Sequence, residues 1–367
     1  MTLTKKVFFY ILTLIISIFI LLIFDFTLSN TIISNKNCYN FEEYYYELKK
    51  NCKTKERFKK SFPKVNIITD NHGLRISKSN LEKKGDKNNI LIFGDSFTYG
   101  TGLEYEKTYA GLIEKKLSNF NYYNFAVPSY SPTVHLFKLK QAIKLGIIPN
   151  KILLFLDLTD VIDESTRWQG EGDKKPKLYN KEIFDREKKD FSEKNFKITK
   201  DIVSNINFYS RLIRSKVSNI FSDTVSIKSS KKIKTSIQGQ FTYTEPAKLN
   251  KSFWNKRDLE TGLNKIKDNI NNISMLSKDH NSQFFLIIYP WAETLEFGEN
   301  QFNWSNFGKT LCQNEKCKLI NAIPKFIQYK ENNKNWSNEL YFINDEHFSS
   351  KGALLLSEIV IEQLMQE

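Results

Sequence analysis

The chain has 367 residues, a formal net charge of +14 and 14 % aromatic side chains, with 29 Phe and 17 Tyr. That aromatic content excludes a disordered polymer despite the many Lys and Asn, and the length allows one large domain or two small ones. The lysines are scattered over loops and helix faces with no compact arginine-rich motif, so the charge reads as a solvated surface and no nucleic-acid partner is expected.

Lys5 and Lys6 precede Val7–Phe24, an uncharged run of 18 residues whose polar members are Thr13 and Ser17. At ~1.5 Å per residue this spans about 27 Å, close to the hydrocarbon thickness of a bilayer. No small-x-small cleavage site follows, and no face of the segment is polar. Residues 1–30 are therefore expected to be an uncleaved, single-pass anchor in the cytoplasmic (inner) membrane. The two lysines would lie inside and the remainder in the periplasm. Four cysteines fall in two local pairs, Cys38 with Cys52 and Cys312 with Cys317, without zinc spacing. In an exported chain an even number favours disulfides, although spacing leaves the connectivity open. Residues 31–64 read as a polar, Tyr- and Lys-rich stem, helical from Phe41 to Lys50.

Beyond the stem, apolar runs at Ile90–Phe93, Tyr122–Val127, Ile152–Leu156 and Phe284–Tyr289 predict buried strands. Leu319-Ile320 adds a short fifth. Helical patterns near Thr108–Leu117, Thr133–Leu145, Asp258–Lys278 and Ser350–Met365 alternate with them. Strand, crossover helix and strand in sequence give a parallel sheet with right-handed connections, so the fold class is α/β. Residues 165–250 break the alternation and read as an insertion within a domain spanning 65–367.

Polar residues gather at the strand ends, where open α/β sheets bind ligands. Gly94-Asp95-Ser96 follows the first strand, and Asp157-Leu158-Thr159-Asp160 follows the third. Asn344-Asp345-Glu346-His347 precedes the last helix. A serine nucleophile needs a base, and the base needs an orienting group. Of the four histidines, His347 alone has a carboxylate two residues away, on a loop that opens an amphipathic helix. Read singly, Asp95 or Ser96 is as well explained as a helix cap, and so are Asp345 and Ser349.

Together, Gly94-Asp95-Ser96 and Asp345-x-His347 resemble the first and last motif blocks of the SGNH (GDSL-type) hydrolases, and the intervening elements match from about Val65 to Gln366. Asn71-His72-Gly73-Leu74-Arg75 looks like the lead-in of exported or membrane-anchored members. The resemblance implies a three-layer α/β/α sandwich around a central parallel sheet, preceded here by one transmembrane helix. It implies Ser96 as nucleophile, His347 as general base and Asp345 as its orienting carboxylate, with no cofactor and no metal. Residue 98 is Thr, consistent with a family that lacks the G-x-S-x-G elbow. Two middle positions depart from the family. Ser129 stands for a glycine whose N–H helps bind the oxyanion, and Thr159 stands for an asparagine donor. Both are carried as oxyanion candidates, and Asp95 and Trp291 as substrate contacts. Tyr289-Pro290-Trp291 suits either an aromatic wall for a sugar ring or a packed corner.

The implied activity is serine-dependent ester hydrolysis outside the cytoplasm, on O-acyl groups of a cell-surface carbohydrate or another acylated small substrate. An O-acyltransferase on the same substrates and a catalytically degenerate polysaccharide-binding protein are the alternatives. Phosphate binding by the Gly94–Gly102 loop is disfavoured, because no G-x-x-x-x-G-K-[ST] is present.

Overall fold

A computed structural model describes residues 3–32, 37–59, 61–78, 87–170, 173–193, 259–299, 302–313, 317–343 and 345–366. The chain divides into two compact units, residues 1–37 with 192–230 and residues 38–191 with 231–367. In the first, helix α1 (Leu3–Ile32) contains an apolar window, Thr4–Leu21, long enough to cross a membrane and not buried by protein.

The second unit is built on a five-stranded, all-parallel sheet. Its strands are β5 (Asn89–Phe93), β6 (Asn121–Asn124), β7 (Lys151–Leu156), β10 (Gln283–Ile288) and β11 (Cys317–Asn321), in the spatial order β11-β10-β7-β5-β6. In β7 and β10 every residue after the first is buried, as expected of central strands covered on both faces. Helices α3 (Tyr109–Lys116) and α12 (Ser350–Met365) pack together, and α4 (Pro132–Lys144) and α5 (Leu158–Thr166) pack on α7 (Leu259–Asp279). This is the expected three-layer α/β/α arrangement. One continuous apolar core runs through the sheet and these helices.

The expected stem helix at Phe41–Lys50 is instead a hairpin, β1 (Tyr39–Glu42) paired antiparallel with β2 (Tyr45–Leu48). The stretch is dense in aromatic residues, which suit a pleated surface. Tyr39, Tyr45 and Tyr46 are buried in a second apolar cluster with Tyr130 and Trp168. Tyr44 takes a positive φ of 57° at the turn, which no helix would tolerate. β3 (Lys53–Glu56) pairs with β4 (Val65–Ile68), so the stem from Cys38 onward belongs to this unit. Of the insertion at 165–250, the described part holds a short ladder, β8 (Trp168–Gln169) with β9 (Lys177–Leu178), and α6 (Lys181–Glu193). The rest lies outside the described residues.

Both local cysteine pairs are disulfides, Cys38–Cys52 and Cys312–Cys317. The first joins the residue before β1 to the residue before β3. Its sequence separation is 14 residues, and a loop of about 15 residues is worth about 3 kcal/mol in the chain-entropy account. Replacing both Cys38 and Cys52 by Ser should therefore lower unfolding stability by about that amount. Urea denaturation of the two proteins checks it, and equal midpoints would contradict it.

Candidate active site

The chain leaves β5 for β6 on one side, then returns to β7 on the other, so the direction of winding reverses between β5 and β7. A crevice at the carboxyl ends of those two strands is where such sheets place ligands. Gly94-Asp95-Ser96 follows β5 there, and Asp157-Leu158-Thr159 follows β7. After Gly94 comes α2 (Ser96–Tyr99), a single turn with Asp95 as its N-cap, whose Oδ1 accepts the Phe97 N–H at 2.9 Å. Gly94 is required by close approach, since a Cβ on it would lie 1.9 Å from Thr98 Oγ1. Gly100 closes the turn in the left-handed region, at φ 81°.

The backbone N–H groups of Gly100 and Thr101 take the carbonyls of Ser96 and Phe97, and the carbonyls that follow turn toward a side chain. The buried guanidinium of Arg75 donates to the carbonyls of Tyr99, of Gly100 at 3.0 Å and of Leu103 at 2.6 Å. This gives the Asn71–Arg75 lead-in a physical purpose: it clamps the far end of the turn that carries Ser96.

His347 and Asp345 come from the loop ahead of α12. That loop is held by the bridge between Tyr341 and Phe348 and by Ser349, whose side chain caps the helix. His347 Nε2 lies 2.8 Å from Ser96 Oγ, and its Nδ1 lies 2.5 Å from Asp345 Oδ1. The same carboxylate oxygen accepts the backbone N–H of His347 at 3.0 Å. The imidazole is 4 % exposed and lies against the rings of Phe97 and Phe58, with centroids at 4.9 and 5.3 Å. Burial would lower its pKa, but the hydrogen bond it donates to Asp345 and the charges of Glu346 and Asp345 outweigh this and raise it. Burial likewise pushes the Asp345 carboxyl up, yet His347 and Lys59 together hold it well below the usual carboxylate range. With Asp345 ionised and accepting from Nδ1–H, Nε2 is free to take the Ser96 proton. Chemically the arrangement can generate a serine nucleophile.

Lys59, Phe58 and Phe62 were not legible as site residues. Lys59 Nζ pairs with Asp345 Oδ2, the oxygen turned away from His347, and Phe62 packs on Phe342 at 4.2 Å. They lie in the segment between β3 and β4, far from any motif. Lys59 opposes a positive charge on His347, so Lys59→Met should raise the imidazole pKa. The acidic limb of kcat/KM should move to higher pH, by a small step because the Lys59 side chain is 46 % exposed and screened. A pH–rate profile with an unmoved acidic limb would contradict this.

The residues beyond the three differ from expectation. The single hydroxyl proton of Thr159 has Asp157 Oδ1 at 2.5 Å, with Asp95 Oδ2 also near at 3.1 Å. Thr159 is thus committed to carboxylates and is not an available oxyanion donor. Trp291 is 2 % exposed and donates its indole N–H to Asp157 Oδ2 at 3.1 Å. It is a packed corner, not a wall open to a sugar, and it is held by the buried Asp157 of the polar segment that follows β7. Asp95 is also 2 % exposed, which removes it as a substrate contact. Ser129 adopts a φ of 62°, in the left-handed region that favours glycine. Its carbonyl accepts from the Trp168 indole at 2.6 Å. The backbone N–H groups of Ser96 and Ser129 find no acceptor among the described residues.

No family model and no curated protein matches the sequence. Among solved structures, the chain is similar to TesA at 11 % identity and a TM-score of 0.41, over 76 % of this chain and 99 % of that one. It is similar to a lipolytic protein of the G-D-S-L family from Veillonella parvula at 9 % identity and a TM-score of 0.41, over 76 % and 99 %. The psychrotrophic esterase EstA from Pseudoalteromonas sp. aligns at 12 % identity and a TM-score of 0.37, over 76 % and 98 %. Likeness at this level carries no argument about activity. The solved structures to which the chain is similar thus include proteins of the G-D-S-L class, the class that its Gly94-Asp95-Ser96 and Asp345-x-His347 blocks resemble.

Proposed function

We propose that the chain is a serine-dependent ester hydrolase tethered to a membrane. The observation that carries this reading is the continuous contact from Ser96 Oγ through His347 to Asp345, at 2.8 and 2.5 Å. Ser96 Oγ attacks the ester carbonyl while His347 Nε2 takes its proton. The N–H groups of Ser96 and Ser129 receive the oxyanion. His347 then protonates the departing alkoxide, and water, deprotonated by the same imidazole, releases the acid from the acyl-enzyme. An acceptor hydroxyl in place of water would make the same intermediate an acyl transfer.

The apolar window in α1 and the two disulfides favour a domain outside the cytoplasm. A tethered enzyme meets substrates at its own membrane surface, and an O-acylated cell-surface carbohydrate is the class we assign. Reaction of the full-length protein in membranes with a fluorophosphonate tests the chemistry, and peptide mapping should place the adduct on Ser96. No adduct together with no turnover of activated acetyl esters would overturn the hydrolase and leave a binding protein. Protease added to intact spheroplasts tests the location: the domain should be degraded, and survival until lysis would reverse the topology.

A further inference from the structure

Two hydroxyl groups near the switch point each have one proton and two acceptors within reach. Ser96 Oγ has His347 Nε2 at 2.8 Å and Asp95 Oδ2 at 3.2 Å. Thr159 Oγ1 has Asp157 Oδ1 at 2.5 Å and the same Asp95 Oδ2 at 3.1 Å. In both cases the shorter contact takes the proton, to His347 and to Asp157. Asp95 Oδ2 then faces two oxygens whose protons point elsewhere. A carboxylate in that position would meet lone pairs from both sides, whereas a carboxylic acid would meet acceptors.

Counting donors decides which aspartate carries the proton. Asp157 accepts from the Thr159 N–H at 2.7 Å, the Thr159 hydroxyl, the Tyr289 hydroxyl at 3.2 Å and the Trp291 indole at 3.1 Å. Burial raises the Asp157 carboxyl, and these four donors work against it, as suits a carboxylate that stays ionised. Asp95 receives one backbone donor, the Phe97 N–H, on its other oxygen. Resting on the ester-hydrolase reading above, we propose that Asp95 is a further catalytic residue, a neutral carboxylic acid whose Oδ2–H is donated to the Ser96 nucleophile. As Ser96 gives its proton to His347, negative charge grows on Oγ and this hydrogen bond strengthens. The proton stays on Asp95 throughout, so the balance of the hydrolysis is unchanged. An ionised Asp95 would do the reverse. It would draw the Ser96 proton away from His347 and repel the forming alkoxide.

The surroundings act in the same direction. Burial first, then the charge of Asp157, pushes the Asp95 carboxyl up to about 8, against the Phe97 N–H and His347, which favour ionisation. Asp160 and Asp163 on α5 also face it, and both are themselves raised, chiefly by burial. The remaining neighbours are Tyr109 from α3 and Tyr289 after β10, whose phenols burial holds neutral.

Activity should therefore fall as pH rises through about 8, where Asp95 loses its proton. Asp95→Asn keeps a donor beside Ser96 that cannot ionise. Its kcat should be lower at neutral pH, because an amide is the weaker donor, but the alkaline limb should vanish. Asp157→Asn removes the charge that opposes ionisation of Asp95, so its limb should move to lower pH. An alkaline limb unchanged in both variants would overturn the proposal. Infrared difference spectroscopy of the full-length protein, wild type minus Asp95→Asn, gives a reading that needs no turnover. A neutral-carboxyl C=O band at pH 6.5 that disappears at alkaline pH supports the assignment, and no such band sinks it. A protein that shows the band yet labels with no fluorophosphonate refutes the hydrolase and, with it, the catalytic role of Asp95.

Discussion

Ser96→Ala and His347→Ala should each reduce ester turnover by on the order of 10⁶-fold, and the double variant should be no slower than either alone. The reason is the single contact of 2.8 Å between Ser96 Oγ and His347 Nε2. Without Oγ there is no nucleophile and nothing for the imidazole to deprotonate. Without the imidazole, Oγ keeps its proton at neutral pH and is a poor nucleophile. Each substitution removes the same step, so the second has nothing left to remove. Residual catalysis of about 10³–10⁴ over water would come from the N–H groups of Ser96 and Ser129 and from substrate binding. Steady-state kinetics on an activated acetyl ester would measure all three variants. A double variant slower by the product of the single effects would mean that the two residues act independently, which this contact does not allow.

What could be read from the sequence follows from how locally each feature is encoded. The central strands were legible because runs such as Ile152–Leu156 are apolar on both faces, as a strand covered on both sides requires. Helices α3, α4, α7 and α12 lie within a residue or two of their periodic patterns. The hairpin at Tyr39–Leu48 was not legible as strand, because what fixes it is the buried cluster with Tyr130 and Trp168, more than eighty residues away. Ser96, Asp345 and His347 could be chosen by residue type, and the structure brings them within hydrogen-bond distance. Lys59 could not, since a lysine among many on a Lys-rich stem carries no local mark of its partner. The same holds for Thr159. Its hydroxyl suggested a donor to substrate, but Asp157, two residues earlier, takes the proton. A buried carboxylate network shows itself only once the strand ends are brought together.

Asp345→Asn should lower kcat by about 10⁴-fold, through the tautomer of His347 as much as through lost charge. Asp345 meets acceptor demands at both oxygens. Oδ1 receives the His347 backbone N–H at 3.0 Å and faces Nδ1 at 2.5 Å, while Oδ2 receives Lys59. Asparagine offers one carbonyl oxygen for these two places. If that oxygen turns to Lys59, the amide N–H₂ faces Nδ1, which must then accept, and the ring proton moves to Nε2. A protonated Nε2 cannot take the Ser96 proton. Loss of the carboxylate also removes what holds the imidazole pKa up against burial. The acidic limb of kcat/KM should accordingly shift to lower pH even as the rate falls, opposite to the shift expected for Lys59→Met. Retention of full activity in Asp345→Asn would dismiss Asp345 as the orienting group. Combining the two substitutions separates the causes. With Lys59 gone, the asparagine oxygen is free to face His347, Nδ1 regains its proton and Nε2 its lone pair. The Lys59→Met/Asp345→Asn double variant should therefore be faster than Asp345→Asn alone, recovering the part of the loss that belongs to the tautomer and none of the part that belongs to the charge.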